Sequence, residues 1–333
     1  MKILLTGGAG YIGSHAAVVL SQAGHEVIIF DNFSNSSRSV ISRLENILNK
    51  KIVCIEGNIC DFALLENAIQ KNQIEAVIHF AGLKAVGESN AKPLEYYANN
   101  VQGTISLLQA MQATGVKKII FSSSATVYGA PKYSPIDEEY PLSATNPYGR
   151  SKIFIEKILQ DLAISDQSWS IVCLRYFNPV GAHESGLIGE DPEGIPNNLM
   201  PYLAQVAIGK LAKVYVFGDD YQTLDGTGVR DYIHVMDLAE GHLAALAYAC
   251  RQTGFEAINL GTGKGSSVLE IIKGFEVASK KTIPYEIVGR RFGDVAVCFA
   301  KADLAKKKLG WSAKRDLSDA FKSAWKWQNL EGK

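Results

Sequence analysis

The sequence predicts an α/β fold, a Rossmann-type doubly wound parallel sheet followed by a smaller C-terminal α/β substrate domain. Three observations carry that expectation. Short β-branched apolar runs alternate with helical patterns from the first residues, as in a parallel sheet covered on both faces. The first unit reads strand, glycine turn, helix, strand, acid. Beyond residue 178 the chain changes to Gly-, Pro- and acid-rich loops between shorter elements.

Lys2-Ile-Leu-Leu-Thr6 reads as a buried strand, stopped by Gly7-Gly-Ala-Gly10-Tyr11-Ile12-Gly13. A helical pattern (Ile12, Ala16, Val19, Leu20) runs to Ala23-Gly24, and Glu26-Val-Ile-Ile-Phe30 returns as a strand with Asp31 at its tip. Gly7, Gly10 and Gly13 permit a tight turn and close backbone approach to a pyrophosphate. The helix N-terminus adds free N–H groups and a partial positive charge. Asp31 suits a ribose 2′-OH and would repel a 2′-phosphate, so the expected cofactor is NAD rather than NADP. The plainer alternative is a βαβ turn with an Asp helix cap.

Lys51–Ile55 is the third expected strand, Asp61 opens a helix, and Ala76-Val-Ile-His-Phe80 is the fourth strand. It ends at Ala81-Gly82-Leu83-Lys84, at the carboxyl edge where cofactors sit. Lys84 there is either a phosphate contact or a solvated charge. Pro93 opens a helical stretch through Asn99 to Met111. Lys118–Phe121 is the fifth strand, leading into Ser122-Ser-Ser124, read as hydroxyls just past the strand or as a polar turn. Asn146-Pro-Tyr148-Gly-Arg-Ser-Lys152 follows. Pro147 suits a first helical turn, so Tyr148 and Lys152 stack as i and i+4 on one face. An ammonium beside a tyrosine favours the phenolate.

Ser170–Arg175 is the sixth strand, after which Tyr176–Ala182 leaves the sheet edge. A helix from Met200 towards Ile208, a strand Val214–Phe217 and a polar loop to Gly228 come next. Asp237-Leu-Ala-Glu240 reads as a capping box for a helix to Ala249, and Ser267-Val-Leu-Glu270 as another. Glu256–Leu260 returns to the main sheet, and Ile283–Val288 is a late strand. Arg230 and Arg291 lie in loops. As a converging pair they grip a diphosphate through bidentate bonds; otherwise they are surface arginines. Trp311, Trp325 and Trp327 read as packing anchors. The expected division is 1–178 for the dinucleotide, with a return segment near 230–262, and 179–333 mainly for the substrate.

With 333 residues, 47% hydrophobic and 20% charged, the chain reads as soluble and globular. Lys+Arg and Asp+Glu are both 34, so no global field recruits nucleic acid or membrane. Cys54, Cys60, Cys173, Cys250 and Cys298 form no CxxC pair, which suits a reducing cytoplasm. The sequence shows no signal-peptide anatomy and no bilayer-spanning run. The six histidines lack metal-ligand spacing, so no metal is expected.

Thr6–Gly13, Phe80-Ala-Gly-Leu-Lys-Ala-Val-Gly-Glu-Ser89, Ser122-Ser-Ser-Ala-Thr-Val-Tyr-Gly129, Tyr148-x-x-x-Lys152, Arg175-Tyr-Phe-Asn-Pro-Val-Gly-Ala182 and Gly228-Val-Arg-Asp-Tyr-Ile-His-Val235 together resemble the UDP-glucose 4-epimerase family. These are extended short-chain dehydrogenase/reductases. The resemblance spans nearly the whole chain. It implies NAD-dependent isomerisation, the reversible interconversion of UDP-glucose and UDP-galactose through a transient 4-keto sugar and enzyme-bound NADH. In that likeness Tyr148 is the base, Lys152 binds nicotinamide ribose, and Ser124 bonds the sugar 4-oxygen. Tyr11, Ile12, Asp31, Asn32, Asn35, Ser36, Ile59, Phe80, Ala81, Gly82, Lys84, Asn99, Ser122 and Phe177 fall on NAD positions. Asn58 stands where the family has an aspartate facing adenine. Lys84, Asn178, Asn198, Leu199, Tyr215, Val216, Phe217, Arg230, Arg291 and Asp294 fall on UDP-sugar positions. Cys298 replaces a tyrosine of many bacterial members at the mouth of the sugar pocket, which extends the expected substrates to UDP-N-acetylglucosamine and UDP-N-acetylgalactosamine. The family pairs the helices after Pro93 and Pro147, which implies a homodimer. A nucleotide-sugar 4,6-dehydratase needs an acid pair after the strand-end hydroxyl, where this chain has Val127 and Tyr128. A non-catalytic dinucleotide sensor lacks the Tyr/Lys pair present here.

Overall fold

The computed structural model describes residues 1–192, 194–291 and 293–331. Its first six strands are β1 (Lys2–Thr6), β2 (Glu26–Asp31), β3 (Val53–Glu56), β4 (Ala76–His79), β5 (Lys118–Ser124) and β6 (Ser170–Tyr176). Between them lie α1 (Tyr11–Gln22), α2 (Ser39–Leu48), α3 (Phe62–Asn72), α4 (Val86–Ala91), α5 (Pro93–Tyr96), α6 (Gly103–Ala113) and α7 (Pro147–Ser165). The later strands are β7 (Asn178–Val180), β8 (Val214–Phe217), β9 (Val229–Arg230), β10 (Tyr232–His234), β11 (Gly254–Leu260), β12 (Ser266–Ser267), β13 (Tyr285–Val288) and β14 (Val297–Cys298). The later helices are α8 (Leu199–Ala207), α9 (Val235–Ala249), α10 (Val268–Ser279), α11 (Asp303–Leu309) and α12 (Leu317–Glu331).

Among the described residues the main sheet has seven strands in the order β3-β2-β1-β4-β5-β6-β11, every neighbouring pair parallel. The expected Rossmann-type fold is what forms. Ile3 and Leu5 of β1 pack towards α1 and α9, while Leu4 packs towards α3, α6 and α7. Both sheet faces are covered, so the strands read as continuous apolar runs. Strand order reverses between β1 and β4, and the crevice at their carboxyl ends is where such sheets bind ligands. A third core joins α8, α10 and α12 to β8 through Leu203, Val214, Ile271, Phe275 and Phe321.

Local chemistry sets several boundaries. Asn146 caps α7 by accepting the Gly149 N–H at 2.9 Å, with Pro147 in the first turn. Asp61 accepts the Leu64 N–H at 3.0 Å. Ser267 and Glu270 form the expected reciprocal capping box. Asp237 does not cap α9, which starts two residues earlier with His234 accepting the Met236 N–H. The Asp237 carboxylate instead takes the backbone N–H groups of Lys314 and Arg315 and the Arg315 guanidinium. The third strand begins at Val53 rather than Lys51, because Glu45 captures the Ile52 N–H and the Lys51 ammonium. The stretch after Pro93 is not one regular helix. A π-helical turn over Tyr97–Gln102 interrupts it, as often happens beside functional sites. Ser122–Ser124 belong to β5 itself, paired with Leu174–Tyr176.

Candidate active site

The carboxyl ends of β1, β2, β4, β5 and β6 converge on the crevice. Gly7 adopts φ +69°, and a Cβ there would sit 2.6 Å from Ala81 N; one on Gly13 would sit 2.4 Å from Gly7 O. These two glycines let the turn, α1 and the loop after β4 close together. Gly10 has only Gly7 O nearby, at 3.2 Å, and caps α1 without a side chain, so the helix N-terminus faces outward. Asp31 is 8% exposed. Its carboxylate accepts Ala9 N–H at 3.0 Å, Phe33 N–H at 2.9 Å and Ser36 Oγ–H at 3.2 Å. An open, side-chain-free helix end beside a fixed carboxylate fits a dinucleotide. Asn32 and Asn58 are engaged in local turns, accepting Ser34 and Cys60 N–H groups. Ile59 is buried against the core of the α3 side.

His79, at the end of β4, is buried between Thr6 Oγ1 at 2.6 Å and Thr104 Oγ1 at 2.9 Å. Thr104 donates to Asn100 O, so it accepts from His79 Nε2–H, and Thr6 donates to Nδ1. Burial lowers its pKa to about 3, so it is a neutral strut. Asn100 holds the loop after β4 by pairing with both backbone groups of Leu83, and it donates to Ser151 on α7. Asn99 donates to Asn100 Oδ1. Phe80 stacks on His242 at 4.8 Å.

Tyr148 and Lys152 share a face of α7 beside the end of β5. Lys152 is 4% exposed, and its ammonium donates to Ser122 O at 2.7 Å. It lies 4.7 Å from the Phe121 ring centroid and 5.7 Å from that of Tyr148. Burial pushes the Lys152 pKa down to about 8, against the raising effect of Glu156. The expectation that Lys152 depresses the Tyr148 pKa needs correction for the protein groups alone. Tyr148 is raised, because burial outweighs the one opposing contribution, a hydrogen bond with Ser124. One of the three ammonium protons goes to the Ser122 carbonyl, and the ammonium sits over the ring rather than at the phenol oxygen.

The sugar-nucleotide candidates lie across the crevice. Arg230 and Arg291 do converge, both reaching the Asp294 carboxylate, at 4.0 and 3.2 Å. Arg291 also covers the Phe217 ring at 4.3 Å. β14 pairs with β9, setting Cys298 opposite Arg230. Cys298 is half-buried and packs on a cluster that contains Val127, Tyr128 and Phe177. Burial pushes its thiol up to about 11. Tyr215 is exposed, whereas Val216 is buried in the third core, so only its backbone is available to a ligand. Asn178 donates its N–H to Asp231 O, and Leu199 opens α8 next to Asn198. Sequence reasoning missed Glu190. Lys84 at 3.2 Å and Asn198 at 2.6 Å both reach its Oε1, and Tyr11 donates to Gly181 O nearby. Only its place in the acidic loop offered a signal. No group of three His, Cys, Asp or Glu suited to a metal occurs among the described residues, nor any helix long and apolar enough to cross a membrane.

A dinucleotide cradle with a Ser, Tyr and Lys set at the sheet rim defines a short-chain dehydrogenase/reductase type of enzyme. The chain belongs to the NAD dependent epimerase/dehydratase family, whose profile it matches over residues 3–261. It is 58% identical over 329 residues to the UDP-glucose 4-epimerase of Bacillus subtilis (strain 168), covering 99% of this chain and 97% of that protein. The crystal structure of UDP-glucose-4-epimerase from Stenotrophomonas maltophila with bound NAD and formylated UDP-arabinopyranose is similar at TM-score 0.98 and 52% identity, covering 100% of this chain and 99% of that one. The Bifidobacterium longum UDP-glucose 4-epimerase in complex with NAD+ and UDP is similar at TM-score 0.96 and 55% identity, with the same coverage.

Proposed function

We propose that this chain interconverts UDP-glucose and UDP-galactose by inverting C4. The observation that carries the reading is the convergence of Ser124, Tyr148 and Lys152 at the sheet rim, in a chain so similar to UDP-glucose 4-epimerases along its length. Gly7 to Gly13 and Asp31 hold NAD at the α1 end. When bound, NAD supplies a reversible hydride acceptor and a cationic ring that favours the phenolate. Tyr148 takes the proton of the sugar 4-OH and later returns it, and Ser124 bonds the 4-oxygen. Lys152, bonded to Ser122 O, orients the ribose and holds positive charge beneath Tyr148. Arg230 and Arg291 exchange the Asp294 carboxylate for the diphosphate. Residues 1–178, with the return segment, hold NAD; residues 179–333 mainly hold the UDP-sugar.

The homodimer reading is supported by apolar side chains left exposed after Pro93 and Pro147, Leu94 at 81% and Phe154 at 47%. The unpaired cysteines suit a reducing cytoplasm. Substrate range turns on Cys298. A small side chain beside Arg230 leaves room for an acetamido group at the sugar C2. The test is conversion of UDP-galactose, UDP-N-acetylglucosamine and UDP-N-acetylgalactosamine by wild type and Cys298→Tyr. The variant is expected to lose roughly ten- to a hundredfold on the N-acetylated pair, the scale of overpacking a formed site, and to keep the plain hexose reaction. A wild type inert on both N-acetylated sugars, or an unchanged ratio in the variant, refutes the wider range. A wild type inert on UDP-galactose refutes the function itself.

A further inference from the structure

β5 ends at Ser124, and the chain turns there through a single 3₁₀ turn, Ala125–Tyr128. Thr126 meets the Ser124 hydroxyl twice. Its N–H donates to Ser124 Oγ at 3.2 Å, and its own hydroxyl donates to the same atom at 3.0 Å. A serine hydroxyl has two acceptor lone pairs and one proton. With both lone pairs taken, Ser124 has only its proton left to place. On the other side stands Tyr148, whose phenol feels the Ser124 hydrogen bond as a lowering influence against burial.

We propose that Thr126 is a positioning residue for the proton transfer, its two hydrogen bonds committing Ser124 to donate its one proton, to the Tyr148 phenol oxygen before the sugar proton moves and to the sugar 4-oxygen once C4 is a ketone. The inference rests on the roles given above to Tyr148 and Ser124, and adds a group that sets the direction of the bond between them. A donating serine favours the phenolate, the form that accepts the sugar proton. A serine turned to accept would favour the neutral phenol. The hydroxyl of Thr126 is therefore connected to the base through one intervening oxygen.

The titratable groups facing Tyr148 are Lys152 from its own helix, Tyr176 from β6 and Tyr96 from α5. Both tyrosines are themselves raised, chiefly by burial. Substitution at Thr126 changes none of them. The experiment measures kcat and KM for UDP-galactose against pH on the NAD-loaded enzyme, in wild type, Thr126→Val, Thr126→Ser, Ser124→Ala and the Ser124→Ala/Thr126→Val pair. Loss of one hydrogen bond predicts a kcat for Thr126→Val lower by roughly three- to tenfold. Its acid limb should move to higher pH by about half a unit to one unit, with KM unchanged. Thr126→Ser restores both, and the double variant is no slower than Ser124→Ala. Thr126→Ala replaces Val if the latter folds poorly. An acid limb that stays at the wild-type pH, or a double variant slower than Ser124→Ala by the full Thr126 factor, overturns the proposal. A Tyr148→Phe enzyme of near wild-type activity overturns the underlying assignment instead, so the two failures are distinguishable.

Discussion

Ser124, Tyr148 and Lys152 stand at the ends of a long parallel strand and a 19-residue helix, whereas Arg230, Arg291 and Asp294 stand on loops and a two-residue strand. Behind the first set lies a buried ion pair. Glu156, one turn beyond Lys152, is 2% exposed and accepts Arg175 Nη2–H at 2.6 Å and the Ser123 hydroxyl at 2.5 Å. Arg175 also donates to Tyr128 Oη and Glu138 O. Across the crevice Arg291 is exposed and Asp294 half-exposed. The buried set has every partner supplied, which fixes geometry and tunes Lys152. The Arg291–Asp294 contact is screened by solvent and costs little to break, which suits the proposed exchange of Asp294 for a diphosphate. In the proposed function the proton-transfer groups thus stand on the buried framework and the diphosphate-binding groups on loops.

The contrast breaks most visibly at Tyr148. Tyr148→Phe keeps the ring and removes the proton carrier, so kcat on UDP-galactose should fall by about 10²–10⁴-fold with an unchanged melting temperature. A variant within a few-fold of wild type removes Tyr148 from the mechanism. Next comes the ion pair. Glu156→Gln leaves the Arg175 charge uncompensated and should destabilise the protein by about 3–5 kcal/mol in urea unfolding, while Asp294→Asn shifts it by less than about 1 kcal/mol. Equal losses would abolish the distinction between the two regions.

Arg230→Ala should act on binding rather than chemistry. Loss of charged hydrogen bonds to a diphosphate predicts a KM higher by roughly ten- to a hundredfold, with kcat nearly unchanged; a kcat effect instead would place Arg230 in the chemical step. The remaining effect is a slope. The Lys152 pKa is lowered from 10.5 to about 8, chiefly by burial. Below about pH 8 both folded and unfolded chains hold that proton, and the burial penalty is fully present. Between about 8 and 10.5 the unfolded chain binds more protons, so stability rises with pH. Urea unfolding across that window should show wild type gaining on Lys152→Met; parallel curves would mean that Lys152 is not desolvated.

The alternation of apolar runs made the sheet legible, and the i, i+4 spacing of Tyr148 and Lys152 made their shared face legible. The direction of the Tyr148 pKa was not legible, because spacing along a helix does not report burial or the Ser122 carbonyl that takes the ammonium. Arg230 lies on β9 and Asp294 in the loop before β14, and these two-residue strands have no periodicity to read. Glu190 and Thr126 were hidden for a related reason: each acts on residues placed by other elements or by a turn. Asp237 matched a capping pattern, but the backbone of Lys314 and Arg315, distant in sequence, claims it.

The step on which the proposed function stands is oxidation of C4 and its re-reduction by the same enzyme-bound cofactor. UDP-galactose deuterated at C4 tests it directly, with UDP-glucose collected from the NAD-loaded protein in ordinary water. The deuterium is expected to remain at C4 of the product. Loss of the label to solvent, or its appearance at C6 as a 4,6-dehydration would place it, would rule out return of the hydride to C4.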